Sequence, residues 1–104
     1  MNRGEVWWAQ LPAPIGRRPV LLLSRDTMPA GRGEITVAYL TTTMRNTAVE
    51  VLVTQADGMP QDSVVNLDSI NTIPKHRLRT LICTLSPAKM DEVKAAIIEA
   101  LDLH

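Results

Sequence analysis

Apolar residues along this chain come in short runs, broken by proline, glycine and polar clusters at the spacing of strands. Residues 5–11 read as a first strand, with Val6, Trp7 and Trp8 suited to a pleated surface. Pro12, Pro14 and Gly16 then make a short stiff loop. The second strand runs from Arg18 to about Ser24. Pro19 opens it, and Val20-Leu21-Leu22-Leu23 has the length of a buried strand. Residues 25–33, with Asp26, Pro29, Gly31 and Gly33, read as a loop. Residues 34–41 alternate, placing Ile35, Val37, Tyr39 and Thr41 on one face and Thr36, Ala38 and Leu40 on the other. Beyond a polar linker over 42–47, residues 49–53 read as a fourth strand and Asp57-Gly58 with Pro60 as a turn. Residues 63–67 make a short fifth strand, 72–78 one helical turn, and 81–85 a sixth strand.

The last element is a helix. Ser86 is its cap and Pro87 its first residue, with Asp91 and Glu92 in the early turns. Lys89 stands where a complete capping box would have Glu. Met90, Val93, Ile97 and Leu101 follow helical spacing as one apolar stripe, and Ile98 and Leu103 fall off it, free for another surface such as a second subunit. Six short strands and one helix in 104 residues predict a single α+β domain over 1–104, mainly β: a small closed or half-closed barrel with a C-terminal helix.

Composition narrows the function classes. The 45% apolar fraction is enough for a core and excludes a disordered chain. With Trp7, Trp8 and Tyr39 as the only aromatic residues, packing rests on aliphatic side chains and a wide base-stacking platform is excluded. The formal net charge is zero, but it is unevenly spread. Residues 1–45 carry six arginines against three acidic groups, and 46–104 carry five basic against eight acidic, so the basic half can face an anion. The single Cys83 excludes an internal disulfide and a cysteine-based zinc site, and fits a reducing compartment. Arg3 and Glu5 interrupt any apolar leader, and no run approaches a membrane helix, so the expected home is the cytoplasm with no membrane partner.

Familiar catalytic patterns do not occur. There is no metal-ligand motif, phosphate-binding loop or nucleophile elbow, and no cofactor is expected. His76, between Lys75 and Arg77, reads as a solvated residue. What remains is Arg18 at the start of one strand and Thr41 at the end of the next. If these two strands form an antiparallel pair, both fall at one end of the sheet, where a guanidinium and a hydroxyl suit a phosphate. A surface cation and an ordinary strand threonine fit the local pattern as well.

The order and spacing of several segments add to this. Arg3-Gly4-Glu5-Val6-Trp7, Arg18-Pro19-Val20-Leu21, Val37-Ala38-Tyr39-Leu40-Thr41-Thr42, Asp62-Ser63-Val64-Val65-Asn66-Leu67-Asp68, Thr72-Ile73, Arg77-Leu78, Leu85-Ser86-Pro87 and Glu99-Ala100-Leu101 follow one another as in a known family. The chain thus resembles, almost end to end, the MazF/PemK family of toxin–antitoxin ribonucleases. The resemblance implies an SH3-like barrel with a C-terminal helix, a homodimer, and metal-independent cleavage of single-stranded mRNA. Attack of a ribose 2′-OH on the neighbouring phosphate would leave a 2′,3′-cyclic phosphate and a 5′-OH. It further implies an antitoxin partner whose extended acidic tail lies in the RNA groove.

By the same resemblance, Arg18 stabilises the phosphorane and Thr41 hydrogen-bonds the phosphate or the 2′-OH. Arg17, Thr42, Arg45, Ser63 and Asp68 are candidate substrate contacts. Asp68 is also an alternative base, since Asn66-Leu67-Asp68 stands where one branch carries Arg-x-Asp and lacks the arginine. The loop over 12–17 is shorter than in many relatives, and Arg17 is placed to compensate. Two other readings of such a barrel are a gyrase poison like the CcdB group, whose C-terminus differs from Leu101-Asp102-Leu103-His104, and a non-catalytic RNA binder.

Overall fold

Six strands and one helix account for most of the chain in a computed structural model, which describes residues 1–25 and 31–104. In chain order they are β1 (Glu5–Gln10), β2 (Arg17–Leu22), β3 (Glu34–Thr41), β4 (Glu50–Val53), β5 (Ser63–Pro74), β6 (Leu78–Thr84) and α1 (Pro87–Ala100). Single 3-10 turns lie at Gln55–Asp57 and Lys75–Arg77. All strand pairs are antiparallel, in the order β4-β5-β3-β2-β1-β6. Among the described residues β4 and β6 are edges that do not pair with each other, so the sheet curls into a half-barrel and stays open.

The alternation in β3 places buried residues on both faces. Ile35 and Val37 belong to a cluster to which the helix does not contribute, with Ala9, Leu11, Val20, Leu22, Ile73 and Leu78. Ala38 and Leu40 belong to a second cluster, with Val6, Leu21, Val65 and, from the helix, Val93 and Ala96. Each fully buried Val or Leu is worth about 1.5–3 kcal/mol of transfer free energy before entropy. β3 is central, so it needs apolar residues at nearly every position.

Several element bounds depart from expectation. β2 begins at Arg17 and ends at Leu22, because Leu23 and Ser24 leave the strand to hold β3: the Leu23 N–H donates to Thr36 O at 2.9 Å and the Thr36 N–H to Ser24 Oγ at 2.8 Å. Most of the expected 25–33 loop, with Asp26 and Pro29, lies outside the described residues. β5 is twelve residues long, not five, and takes in Thr72, Ile73 and Pro74, so only Lys75–Arg77 forms the expected helical turn. Its middle is bulged: Tyr39 pairs with Asn66 but the next residue, Ala38, pairs with Ile70. The three extra residues bend the strand, a common way to curl a sheet. β6 starts at Leu78, three residues early, and α1 follows directly.

The cap of α1 is as expected, with the Lys89 N–H donating to Ser86 Oγ at 3.1 Å. Its apolar stripe is shifted. Val93 and Ala96 are buried and Met90, Ile97 and Ala100 pack beside them, whereas Leu101 is 55% exposed, because the helix ends at Ala100. No helix among the described residues is long and apolar enough to cross a membrane.

Candidate active site

β2 and β3 meet in a register that pairs Val20 with Tyr39, Leu21 with Ala38 and Leu22 with Val37. Carried two residues further, the same register sets Arg18 opposite Thr41. Opposed residues in an antiparallel pair share a face, here the one already occupied by Val20 and Tyr39. Pro19 brings no N–H to a ladder, and the pairing with β3 starts only at Val20, so the two strands are unpaired at this rim. On the other side Arg18 pairs with the buried Ala9 of β1, which holds its backbone in the sheet.

The two side chains complement each other. Arg18 is half-buried and has no hydrogen-bond or ion-pair partner among the described residues, so all five of its N–H donors are free for an anion. Thr41, also half-buried, accepts the Thr43 N–H through Oγ1 at 3.2 Å. That bond uses a lone pair and leaves the hydroxyl proton free to donate. The extended register thus brings a free guanidinium and a hydroxyl able to donate to the same end of the sheet.

Thr41 also lines a pocket of about 290 Å³, with Trp8, Pro19, Leu40, Thr42, Met59, Pro60, Gln61 and Ser63; Arg18 is not among its lining residues. Three of the candidate residues, Thr41, Thr42 and Ser63, therefore share one cavity. Ser63 is 3% exposed and donates its hydroxyl to Gln61 O at 3.2 Å, so towards the cavity it can only accept. Arg17 reaches the pocket through Trp8: its guanidinium carbon lies 4.3 Å from the centre of the indole ring. Such a contact is worth about 0.5–1 kcal/mol at an exposed site and fixes both groups.

Other candidates stand apart. Arg45 is exposed in the β3–β4 connection, where its N–H donates to Glu50 Oε1 at 3.0 Å, and it does not line the pocket. Asp68 is exposed in the β5 bulge, its N–H on Asn66 Oδ1 at 3.0 Å. Val64 pairs with Thr41, and Asp68 lies four residues further along β5, within the bulge. His76 is exposed and also away from the pocket. Among the described residues no group of three His, Cys, Asp or Glu side chains could hold a metal ion.

One wall of the pocket, Met59-Pro60-Gln61, comes from the β4–β5 connection, which the candidate set did not include. A capping box starts it: the Ala56 N–H donates to Thr54 Oγ1 at 3.2 Å and the Thr54 N–H to Asp57 Oδ2 at 2.8 Å. Gly58 follows at φ +103°, and a Cβ there would meet Cys83 Cβ at 2.7 Å. Lys89 of α1 donates to Leu52 O at 2.9 Å, with Glu92 at 3.3 Å and Asp57 at 3.9 Å. Buried Met59 meets the Cys83 thiol, Sγ to Sδ 3.8 Å. Burial pushes this thiol above its ordinary range, and the Asp57 carboxylate pushes it further. The opposite wall had a readable signal: successive strand residues point to opposite faces, so Trp7 and Trp8 had to separate. Trp7 anchors on Glu5 Oε1 at 3.0 Å and packs on the helix-free cluster, leaving Trp8 for the pocket.

A family model described as "PemK-like, MazF-like toxin of type II toxin-antitoxin system" matches residues 2–101. The chain is 42% identical over 93 residues to a protein of Mycobacterium tuberculosis named "Probable endoribonuclease MazF2", covering 88% of this chain and 89% of that one. Among solved structures it is similar to the M. tuberculosis toxin MazF-mt6 with a TM-score of 0.87 and 37% identity, over 96% of this chain and 98% of that one. It is also similar to an endoribonuclease from a mycobacterial species in complex with its cognate antitoxin, with a TM-score of 0.87 and 27% identity, over 100% and 97%. The half-barrel, its terminal helix and the match over nearly the whole length lead to one assignment: the chain belongs to the PemK-like, MazF-like toxins of type II toxin–antitoxin systems, whose named relatives are endoribonucleases.

Proposed function

We propose that the chain is a sequence-selective endoribonuclease toxin that cuts single-stranded mRNA at the Arg18–Thr41 rim. The observation that carries this reading is the β2–β3 register, which, carried past Val20 and Tyr39, sets an unpartnered guanidinium opposite a hydroxyl donor. The scissile phosphate would sit between them. The ribose 2′-oxygen attacks phosphorus and loses its proton to solvent, since among the described residues no histidine or carboxylate lines the pocket beside Thr41. The P–O5′ bond breaks, and the leaving oxygen takes up a proton. The products are a 2′,3′-cyclic phosphate and a 5′-OH. The nucleophile belongs to the substrate, so a metal-activated water is not required.

Arg18 would stabilise the two charges on the phosphorane, where preorganised donors act most strongly. A guanidinium is a poor acid at neutral pH, so stabilisation is its role and not protonation. Thr41 would donate to a non-bridging oxygen. Arg17, Thr42 and Ser63 would contact the strand near the cut, and the exposed Arg45 would meet the backbone further along. Asp68, exposed in the β5 bulge, would be a further contact to the RNA and the alternative base.

The toxin would act in the cytoplasm as a homodimer, a reading that exposed Leu81 on the outer strand β6 and exposed Leu101 and Leu103 beyond α1 support. An antitoxin with an extended acidic tail would block the same rim. The direct test is an RNA oligonucleotide cut once by the protein, remade with a single 2′-deoxyribose 5′ to that bond. Cleavage there should stop. Continued cleavage would remove the 2′-OH from the mechanism.

A further inference from the structure

One group of cations has no part in the Arg18–Thr41 rim. In the acidic half of the chain, residues 46–104, three of the five basic residues fall within Lys75-His76-Arg77-Leu78-Arg79. The other two are Lys89 and Lys94 of α1, and Lys89 is ion-paired with Glu92 and Asp57. Lys75, Arg77 and Arg79 have no ion-pair partner among the described residues. Exposed Arg32 borders them, because the carbonyl of the next residue, Gly33, accepts the Lys75 N–H at 2.8 Å.

The strand register brings this turn close to the rim. Ala9 of β1 pairs with Arg18 on one side and with Leu78 on the other. Leu78 is thus two strands from Arg18, roughly 10 Å at ordinary strand spacing, and the 3-10 turn Lys75–Arg77 leads directly into it. Trp8 pairs with Thr80 and Ala9 with Leu78, so Arg79 is the extra residue of a bulge, a device that re-aims a side chain. Its guanidinium donates to His76 O, which holds it against the turn. Buried Ile73 and Leu78 anchor the backbone on either side.

We infer that Lys75, Arg77 and Arg79, with Arg32, grip the sugar-phosphate backbone of the RNA beside the scissile bond, whatever its sequence. The inference rests on the endoribonuclease reading for its substrate. Phosphates are held by charge alone, whereas a bound peptide needs an apolar anchor in a pocket. The turn offers only charge: none of its residues is buried, and none lines the pocket beside Thr41. These are positioning residues. They neutralise phosphates flanking the cut, a contact that is equal in the ground and transition states.

The probe is a labelled oligothymidylate of about 20 nucleotides, longer than one small domain covers. It lacks the 2′-OH nucleophile and so reports binding without cleavage. Its Kd is measured by fluorescence anisotropy between about 50 and 200 mM salt. Lys75→Gln/Arg77→Gln should reduce the slope of log Kd against log salt by about 1.4, two phosphates at ~0.7 each on a single strand. Lys75→Arg/Arg77→Lys keeps both charges and should keep the wild-type slope. On a long RNA the glutamine pair should raise KM several-fold and leave kcat unchanged. Equal slopes for the wild type and the glutamine pair, with matching circular dichroism, overturn the inference. So does a polyglutamate peptide that binds through Lys75 and Arg77 and is not displaced by the oligothymidylate, which would make the turn a protein-docking surface. The two readings separate cleanly. A slope that depends on Lys75 and Arg77 in a protein that leaves RNA uncut sinks the nuclease and keeps the grip. Cleavage of long RNA with the same KM in both proteins does the reverse.

Discussion

Arg18 on β2 stands in register opposite Thr41 on β3, two residues beyond the last paired positions, Val20 and Tyr39. Two features isolate the pair at the rim. Pro19 carries no N–H, and the Thr41 oxygen is already turned by its bond from the Thr43 N–H.

This relationship predicts unequal losses. Arg18→Ala removes the guanidinium donors to the phosphorane and should lower the cleavage rate by roughly 10³-fold, the scale of deleting a principal oxyanion donor. Thr41→Val keeps the strand shape, removes one neutral donor, and should cost about 10–100-fold. Both proteins should keep the wild-type circular dichroism and melting temperature within a few degrees. Initial rates on one RNA measure the first claim. Equal rates for Arg18→Ala and wild type would take Arg18 out of the reaction.

The pocket wall is tightly constrained at Gly58. Its φ of +103° disfavours any side chain, and an added Cβ would overlap Cys83 Cβ at 2.7 Å. Gly58→Ala should cost about 2–4 kcal/mol, combining backbone strain with overpacking. It should also displace Met59-Pro60-Gln61. Urea unfolding monitored by circular dichroism measures the cost.

Lys89 ties the helix to the β4–β5 connection through Leu52 O and Asp57. Lys89→Met keeps the aliphatic stem and loses the donor, leaving a carbonyl less well paired. A loss of about 1–2 kcal/mol is expected, or roughly 5–10 °C in Tm for a domain of this size. A thermal melt that does not move would show the contact to be incidental.

The Cys83 thiol is held above its ordinary range by burial and then by Asp57. A folded-state value raised above the unfolded one contributes stability that is full below the unfolded pKa. That stability is lost as pH climbs past it, because only the unfolded chain then ionises readily. Stability should therefore decline above about pH 9, near the ordinary thiol value, and Cys83→Ser should flatten the decline. Alkylation by iodoacetamide at pH 8 should run slower than for a free small thiol.

Some of this was legible in the residues and some was not. β3 could be read because residues 34–41 form a β-branched and apolar run of strand length, as a strand buried on both faces requires, and the α1 start because Ser86-Pro87 is a local signal. The length of β5 was hidden by the polar run Asp68 to Thr72, which sits in a bulge and on an exposed face where no apolar pattern is needed. The far end of α1 was misjudged because Leu101 fits the helical period, yet the chain leaves the helix just before it. At the site, Thr41, Thr42 and Ser63 were identifiable and share a cavity. Gln61 was not, because its position depends on how the β4–β5 connection folds back over Cys83, a contact between residues distant in the chain.

The central claim is tested most directly by the chemistry of the ends. A long single-stranded RNA is incubated with the purified protein in excess chelator, and both new termini are identified. The account predicts a small set of cuts, each with a 2′,3′-cyclic phosphate and a 5′-OH. Uncut RNA, or cuts bearing 5′-phosphates, would contradict it.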